Sequence, residues 1–185
     1  MSTSPKKVRA DAERNRGKVL ATARELFAER GEDVQLPEIA RAAGVGVGTV
    51  YRHFPTKQAL VEAAADQRFA EIAEYARAEC LRSPVRGLEK YLQHVGEVLT
   101  ADPGLSAAIQ AVRDAPGTPP TGAARAVLEE VVAELIERGK QAGALREDLT
   151  TADVYLIVCG LSAVIRTGSG DWRRFNELAA HGFRQ

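Results

Sequence analysis

Residues 35–57 read QLPEIARAAGVGVGTVYRHFPTK, and two short apolar patterns meet inside this run at Ala43-Gly44. In the first, Leu36, Ile39, Ala40 and Ala43 recur at helical spacing. Pro37 suits its first helical position, where no backbone N–H is needed. In the second, Val45 to Phe54, the inward positions are Val45, Val50 and Phe54; Pro55 ends the helix and Thr56 can cap the next one. Neither segment is long enough to bury its apolar face alone. Crossed near a right angle against an earlier helix they can, and the result is a helix-turn-helix with Gly44 at the sharp turn. The second helix then turns Val47, Thr49 and Arg52 outward, with Tyr51 and His53 toward its far end and Lys57 opening the next helix. A helix about 10–12 Å across fits a B-DNA major groove about 12 Å wide. Thr49 suits base edges or a thymine methyl, and Tyr51, His53 and Lys57 offer donors to phosphate oxygens. Gly46 and Gly48 are expected to lie inside this short helix, each costing roughly 1 kcal/mol relative to alanine. Such a helix is expected to be marginal until packed and to firm up on DNA.

Outward from this run the pattern stays helical. Residues 1–10 (MSTSPKKVRA) have no apolar periodicity and are expected to be a flexible basic arm. From Asp11 a first helix is predicted, with Val19, Leu20, Ala23, Leu26 and Phe27 inward and Arg30-Gly31 at its end. A long fourth helix is predicted over Thr56–Arg82, with an apolar stripe through Leu60, Val61, Ala64, Phe69, Ile72, Ala73, Ala76 and Cys80. It would span about 40 Å, enough to join two lobes. Further helices are predicted over Val85–Ala101 and Leu105–Val112. A turn-rich loop, Ala115–Gly122, then leads to Ala123–Ala142, Thr151–Arg166 and Asp171–Phe183. The fold class is therefore all-α, with about nine helices and no sheet. Its expected organisation is the arm at 1–10, a helix-turn-helix domain at 11–57 and a helical domain at 58–185.

The run 35–57 also resembles the N-terminal domain of the TetR family of transcriptional regulators. The resemblance rests on Ile39-Ala40, Ala43-Gly44-Val45, Gly48-Thr49, Val50, Tyr51, His53-Phe54 and Lys57. Upstream, Ala23 to Gly31 (ARELFAERG) looks like the end of that family's first helix, so the likeness covers about residues 11–65. Beyond it, only the helix count and the run Gly143–Val154 are family-like. The resemblance implies a homodimer whose recognition helices enter successive major grooves of a palindromic operator. Val47, Gly48 and Thr49 would then lie against bases, while Tyr51, His53 and Lys57 grip phosphates. Many members open the second helix with Thr or Ser followed by a basic residue. Here Gln35-Leu36-Pro37 stands in that place, and base contact from this helix is not expected.

Composition bounds the alternatives. The 185 residues are 45% hydrophobic and 27% charged, as in a soluble globular chain. Lys and Arg balance Asp and Glu over the whole chain, yet residues 1–57 carry eleven basic against seven acidic side chains. A basic end on an acidic body is consistent with one end meeting a polyanion. The apolar run Val154–Ile165 is too short to span a bilayer, no signal segment opens the sequence, and Cys80 and Cys159 form no CxxC or Cys/His cluster. The expectations are a reducing cytoplasm, no membrane, no metal and no cofactor. His53, His94 and His181 fall in separate elements, and no HExxH, GxSxG or Walker loop is present, so no enzyme is expected. Gly44, Gly46 and Gly48 lack both the third spacing of GxGxxG and a preceding strand. An alternative that stays open is a helical small-molecule binding protein or enzyme with a vestigial helix-turn-helix.

The C-terminal part supplies two further expectations. VYLIVCGLSAVI (Val154–Ile165) is apolar on every side and must be covered all round. With Trp172 and Phe175 of the last helix, its residues Val154, Ile157, Val158, Leu161 and Ile165 are the expected dimer interface, by analogy with the family's four-helix pairing. A pocket for an unknown small-molecule effector is expected by the same analogy, with Phe69 as a wall and Tyr91 and His94 as inward polar groups. The whole reading depends on Thr49, Tyr51, His53 and Lys57 being turned outward.

Overall fold

The computed structural model describes residues 5–111 and 122–185. Among the described residues there are nine α-helices and no strand: α1 (Pro5–Arg30), α2 (Leu36–Ala42), α3 (Val47–His53), α4 (Lys57–Tyr75), α5 (Gly87–Ala101), α6 (Pro103–Ala111), α7 (Ala123–Gln141), α8 (Thr151–Thr167) and α9 (Trp172–Phe183). The expected all-α fold of nine helices is found, and the differences lie at the helix ends.

α1 begins at Pro5 rather than Asp11, so the described part of the expected arm is helical; residues 1–4 lie outside the described residues. Pro5 fits a first helical position, and the residues after it include the good helix formers Lys6, Lys7, Arg9 and Ala10. α2 starts one residue early, at Leu36. Gln35 is its N-cap, and the Gln35 backbone N–H donates to the Glu38 carboxylate at 2.9 Å. Arg30 donates to the same carboxylate at 2.9 Å; the bond from Gln35 and that from Arg30 hold the Glu38 carboxyl below its usual range. Gly44 has φ +66°, the left-handed conformation the turn requires. Gly46 is the N-cap of α3, so only Gly48 stands inside this helix, and the expected cost of two internal glycines reduces to one. Thr56 caps α4, its hydroxyl accepting from the Ala59 N–H at 3.0 Å.

The fourth helix is regular only to Tyr75, and a π-helical turn continues it over Ala76–Cys80. α5 starts at Gly87 because Ser83 to Arg86 form a tight turn, with Arg86 N–H donating to the Ser83 carbonyl and Val85 left exposed. α6 opens two residues before its expected start. The Asp102 carboxylate caps it by accepting from the Leu105 N–H at 3.1 Å, and Pro103 takes the first position. The expected end of this helix at Val112 and the loop Ala115–Gly122, apart from Gly122, lie outside the described residues.

Two buried clusters organise the molecule. The first joins Val19, Ala23 and Phe27 of α1, Ile39 of α2, Val50 beside Phe54 at α3, and Leu60, Val61 and Ala64 of α4. Leu105 and Ala108 of α6 complete it, so this core runs past residue 57 and takes in a helix from later in the chain. The second gathers the far half of α4 with α5, α7, α8 and α9. α4 is common to both, and α6 packs directly against α1. Gly104 lies so close to the end of α1 that a Cβ there would stand 1.7 Å from the Phe27 carbonyl oxygen.

Candidate nucleic-acid interface and interior cavity

α3 divides cleanly into two faces. Val50, with Phe54 just beyond the helix, is buried in the first core, and the Arg16 guanidinium of α1 sits 5.5 Å from the Phe54 ring centroid. The opposite face meets solvent. Val47 is 43% and Tyr51 45% exposed, one turn apart, and Gly48 and Arg52 are exposed beside them. Thr49, His53 and Lys57 are half-buried at the edges of this face. All seven side chains or positions expected at a DNA surface therefore lie at one end of the molecule. Residues 47–57 contain no acidic side chain, while Arg52 and Lys57 supply cations.

In the other lobe α4, α5, α6, α7 and α8 line a partly open cavity of about 120 Å³. Its walls are largely apolar, including Phe69, Ile72, Val95, Leu128, Val132 and Val158. Tyr91 and Phe69 line it. His94 does not. Three residues from Tyr91, it is turned about 60° round the helix, and its ring stacks on Tyr75 with centroids 3.6 Å apart and planes at 15°. Burial lowers the His94 pKa, so this ring is neutral at pH 7.

Arg68 also lines the cavity, and sequence reasoning missed it. It is 2% exposed. Its Nη1 donates to the Ser106 hydroxyl at 2.9 Å and its Nη2 to the Asp102 carbonyl at 2.9 Å. Nη2 also pairs with the Asp102 carboxylate at 2.9 Å. Burial pulls the guanidinium pKa down and the Asp102 carboxylate opposes it, which keeps the charge in place. Asp102 reaches a second arginine as well: Arg24 Nε of α1 lies 3.4 Å from the same carboxylate, and Arg24 pairs with Glu71 at 3.0 Å. A signal was present, because Arg68 occupies an apolar-stripe position four residues from both Ala64 and Ile72.

Burial pushes the Tyr91 hydroxyl up to about 12 from 10.0 and the Cys80 thiol up to about 11 from 9.0. Above pH 9 the unfolded chain loses these protons before the folded chain does. The stability they contribute is therefore full below pH 9 and falls as pH rises toward 12. Urea midpoints are expected to decline across that window. Tyr91→Phe is expected to make the decline shallower above pH 10 by up to about 1.4 kcal/mol per pH unit. An unchanged slope would show that the Tyr91 hydroxyl is not buried.

Residues 19–64 match the family model for bacterial regulatory proteins of the tetR family. Residues 83–185, more than half of the chain, match the model for the C-terminal domain of SbtR-like transcriptional regulators. The chain belongs to the TetR family. The first of these models takes in α2 and α3. Among curated relatives, the HTH-type transcriptional regulator SAR0097 of Staphylococcus aureus is 41% identical over 104 residues, 50% of this chain and 53% of that protein. The HTH-type transcriptional repressor KstR of Rhodococcus jostii is 30% identical over 102 residues, 54% of this chain and 48% of its own length. The chain thus spans about half the length of the curated relatives it matches. A TetR transcription regulatory protein from Mycobacterium vanbaalenii, known as a crystal structure, is 36% identical, with 96% of this chain and 99% of that one aligned at a TM-score of 0.64.

In this TetR-family chain the face expected to pair two copies is partly used up inside one. Val154 and Leu161 of α8 are buried in the second core, and Trp172 is buried against α5, where a Cβ on Gly96 would stand 2.3 Å from its ring. An apolar helix must face its own core on one side, and these residues occupy that side. Val158 borders the cavity. Ile157, Ile165 and Phe175 are half-buried, with Phe175 seated on Gly160. Leu156 is 70% exposed, and Leu178, on the apolar stripe of α9 with Trp172 and Phe175, is exposed as well. Among the described residues no three His, Cys, Asp or Glu side chains are grouped to hold a metal ion, and no helix is long and apolar enough to cross a membrane.

Proposed function

We propose that this TetR-family protein is a cytoplasmic repressor that binds a palindromic operator as a homodimer and leaves it when a small-molecule effector fills the cavity. The observation that carries the reading is the outward face of α3, where Val47 and Tyr51 stay in water although the core behind them closes without them. Val47, Gly48 and Thr49 face the bases, and Tyr51, Arg52, His53 and Lys57 bind flanking phosphates. The second copy covers Leu156 and Leu178 together with the half-buried Ile157, Ile165 and Phe175. Two recognition helices then meet half-sites one turn apart, about 34–36 Å.

The link from cavity to DNA runs through α6 and the arginine network. Arg68 on the cavity wall shares Asp102 with Arg24 of α1, and α6 touches the end of α1 at Gly104. A guest that displaces Arg68 or α6 therefore acts on α1, against which α2 and α3 are packed. The guest shifts the balance only by its preference for the released form, about 5.5 kcal/mol for a swing from 1:99 to 99:1. The test is a footprint of the purified protein on DNA upstream of its own gene. Two protected half-sites about 10 bp apart, centre to centre, are expected. Protection with no site preference, or none at all, would reject the reading.

A further inference from the structure

Arg68 lines the cavity with one of its buried donors unmet, and among the described residues the cavity wall carries no spare charge. Nε of Arg68 makes no hydrogen bond, while the other two guanidinium nitrogens are engaged by Ser106 and Asp102. Buried N–H groups without partners are uncommon and costly, so a guest that brings an acceptor oxygen is favoured over one that does not. The charges around the cavity are already matched. Arg68 faces Asp102, Arg24 faces Glu71, and Arg125 lies 4.0 Å from Glu129 with its guanidinium over the Tyr155 ring. An incoming carboxylate would give up its hydration for a site whose cations have partners, and a buried charge without its own counter-ion is strongly disfavoured. Size narrows the class further. At about 120 Å³ the space is of the same order as the apolar cavity of about 150 Å³ known to accept benzene in another protein, its walls are apolar, and its partial opening leaves room for a substituent on the ring.

Resting on the reading of this cavity as the effector site, we propose that it takes an uncharged, mainly apolar molecule of one-ring size whose single acceptor oxygen, as in an aryl ketone or aldehyde, bonds to Nε of Arg68. Polarity elsewhere in the cavity is compatible with such a guest. The Tyr91 hydroxyl is protonated at neutral pH, and the Ser106 hydroxyl, besides accepting from Arg68, donates to the Asp102 carbonyl at 3.2 Å.

Three probes of one ring size separate the possibilities when titrated calorimetrically into the full-length protein at pH 7: ethylbenzene, acetophenone and benzoate. Ethylbenzene is expected to bind measurably, acetophenone at least about ten-fold more tightly, and benzoate at least about ten-fold more weakly than acetophenone, for a hydrogen bond to a charged donor gained or a desolvated anion left unmatched. Arg68→Lys keeps a cation opposite Asp102 but removes Nε. In that variant acetophenone is expected to lose its advantage while ethylbenzene still binds, which also reports that the variant is folded. Equal affinities for acetophenone and ethylbenzene in the unmodified protein overturn the proposal, and so does benzoate as the tightest probe or an advantage that survives Arg68→Lys. In each of those cases the cavity remains a binding site. Failure of all three probes to bind the unmodified protein overturns the proposal together with the effector-site reading beneath it. The comparison in the unmodified protein decides the matter even if the lysine variant does not fold.

Discussion

Arg68→Leu is expected to lower the unfolding free energy by about 3 kcal/mol, the lower end of the cost of breaking a buried ion pair. The loss arises mainly from what remains. Asp102 keeps its carboxylate in the interior with Arg24, at 3.4 Å, as its one remaining cation among the described residues, and the Ser106 hydroxyl and Asp102 carbonyl each lose a donor at 2.9 Å. The leucine regains some apolar contact with the cavity wall, which offsets part of this. In a chain of this size the change corresponds to a fall in Tm of roughly 6–12 °C. Urea unfolding should show the same loss as a lower midpoint with an unchanged m-value. Adding Asp102→Asn removes the stranded charge while keeping an oxygen for the Leu105 N–H, and is expected to restore part of the stability. A leucine variant within about 0.5 kcal/mol of the parent would mean that the pair is not in the interior.

Gly104→Ala is expected to cost about 2–3 kcal/mol, toward the upper end of overpacking. Alanine in a helix is ordinarily the better residue by about 1 kcal/mol. Here the added methyl meets backbone: the carbonyl oxygen of Phe27 at 1.7 Å, its carbon at 2.1 Å and the Ala28 nitrogen at 2.6 Å. None of these atoms can rotate away, so α6 must withdraw from α1 as a unit. Stability and regulation should both suffer, because the contact that moves is one of the two links between cavity and helix-turn-helix. A variant as stable as the parent in urea would show that α6 does not approach α1 this closely.

The helix-turn-helix was legible because its punctuation is local. Gly44 had to turn, Pro55 had to stop a helix, and Thr56 had to cap one, and all three do. Which side of α3 faces outward followed from Val50 and Phe54. The cap at Asp102-Pro103 is equally local, and it starts α6 two residues before the apolar pattern begins at Leu105. Other features were out of reach. An all-apolar helix such as α8 carries no periodic mark to say which side meets its own core, so Val154 and Leu161 could not be told apart from Leu156. Trp172 is covered because Gly96, in a helix 76 positions earlier, leaves room for its ring. His94 and Tyr91 share a helix and nearly share a face, and only the position of Tyr75 separates their roles. Arg68 lay in plain view on an apolar stripe, but its partner Asp102 is 34 residues away.

The DNA reading is tested most sharply by fluorescence anisotropy on the footprinted operator and on a scrambled duplex, over a series of salt concentrations, with the parent, Tyr51→Ala, Lys57→Ala and Thr49→Ala. The parent is expected to weaken steeply as salt rises, and Lys57→Ala to reduce that slope by about one unit. Tyr51→Ala should weaken both duplexes by a similar factor. Thr49→Ala should leave the scrambled duplex unaffected and lower operator affinity roughly ten-fold, within the range for a lost base contact. Parent-like binding by all three variants would contradict a DNA interface built on α3.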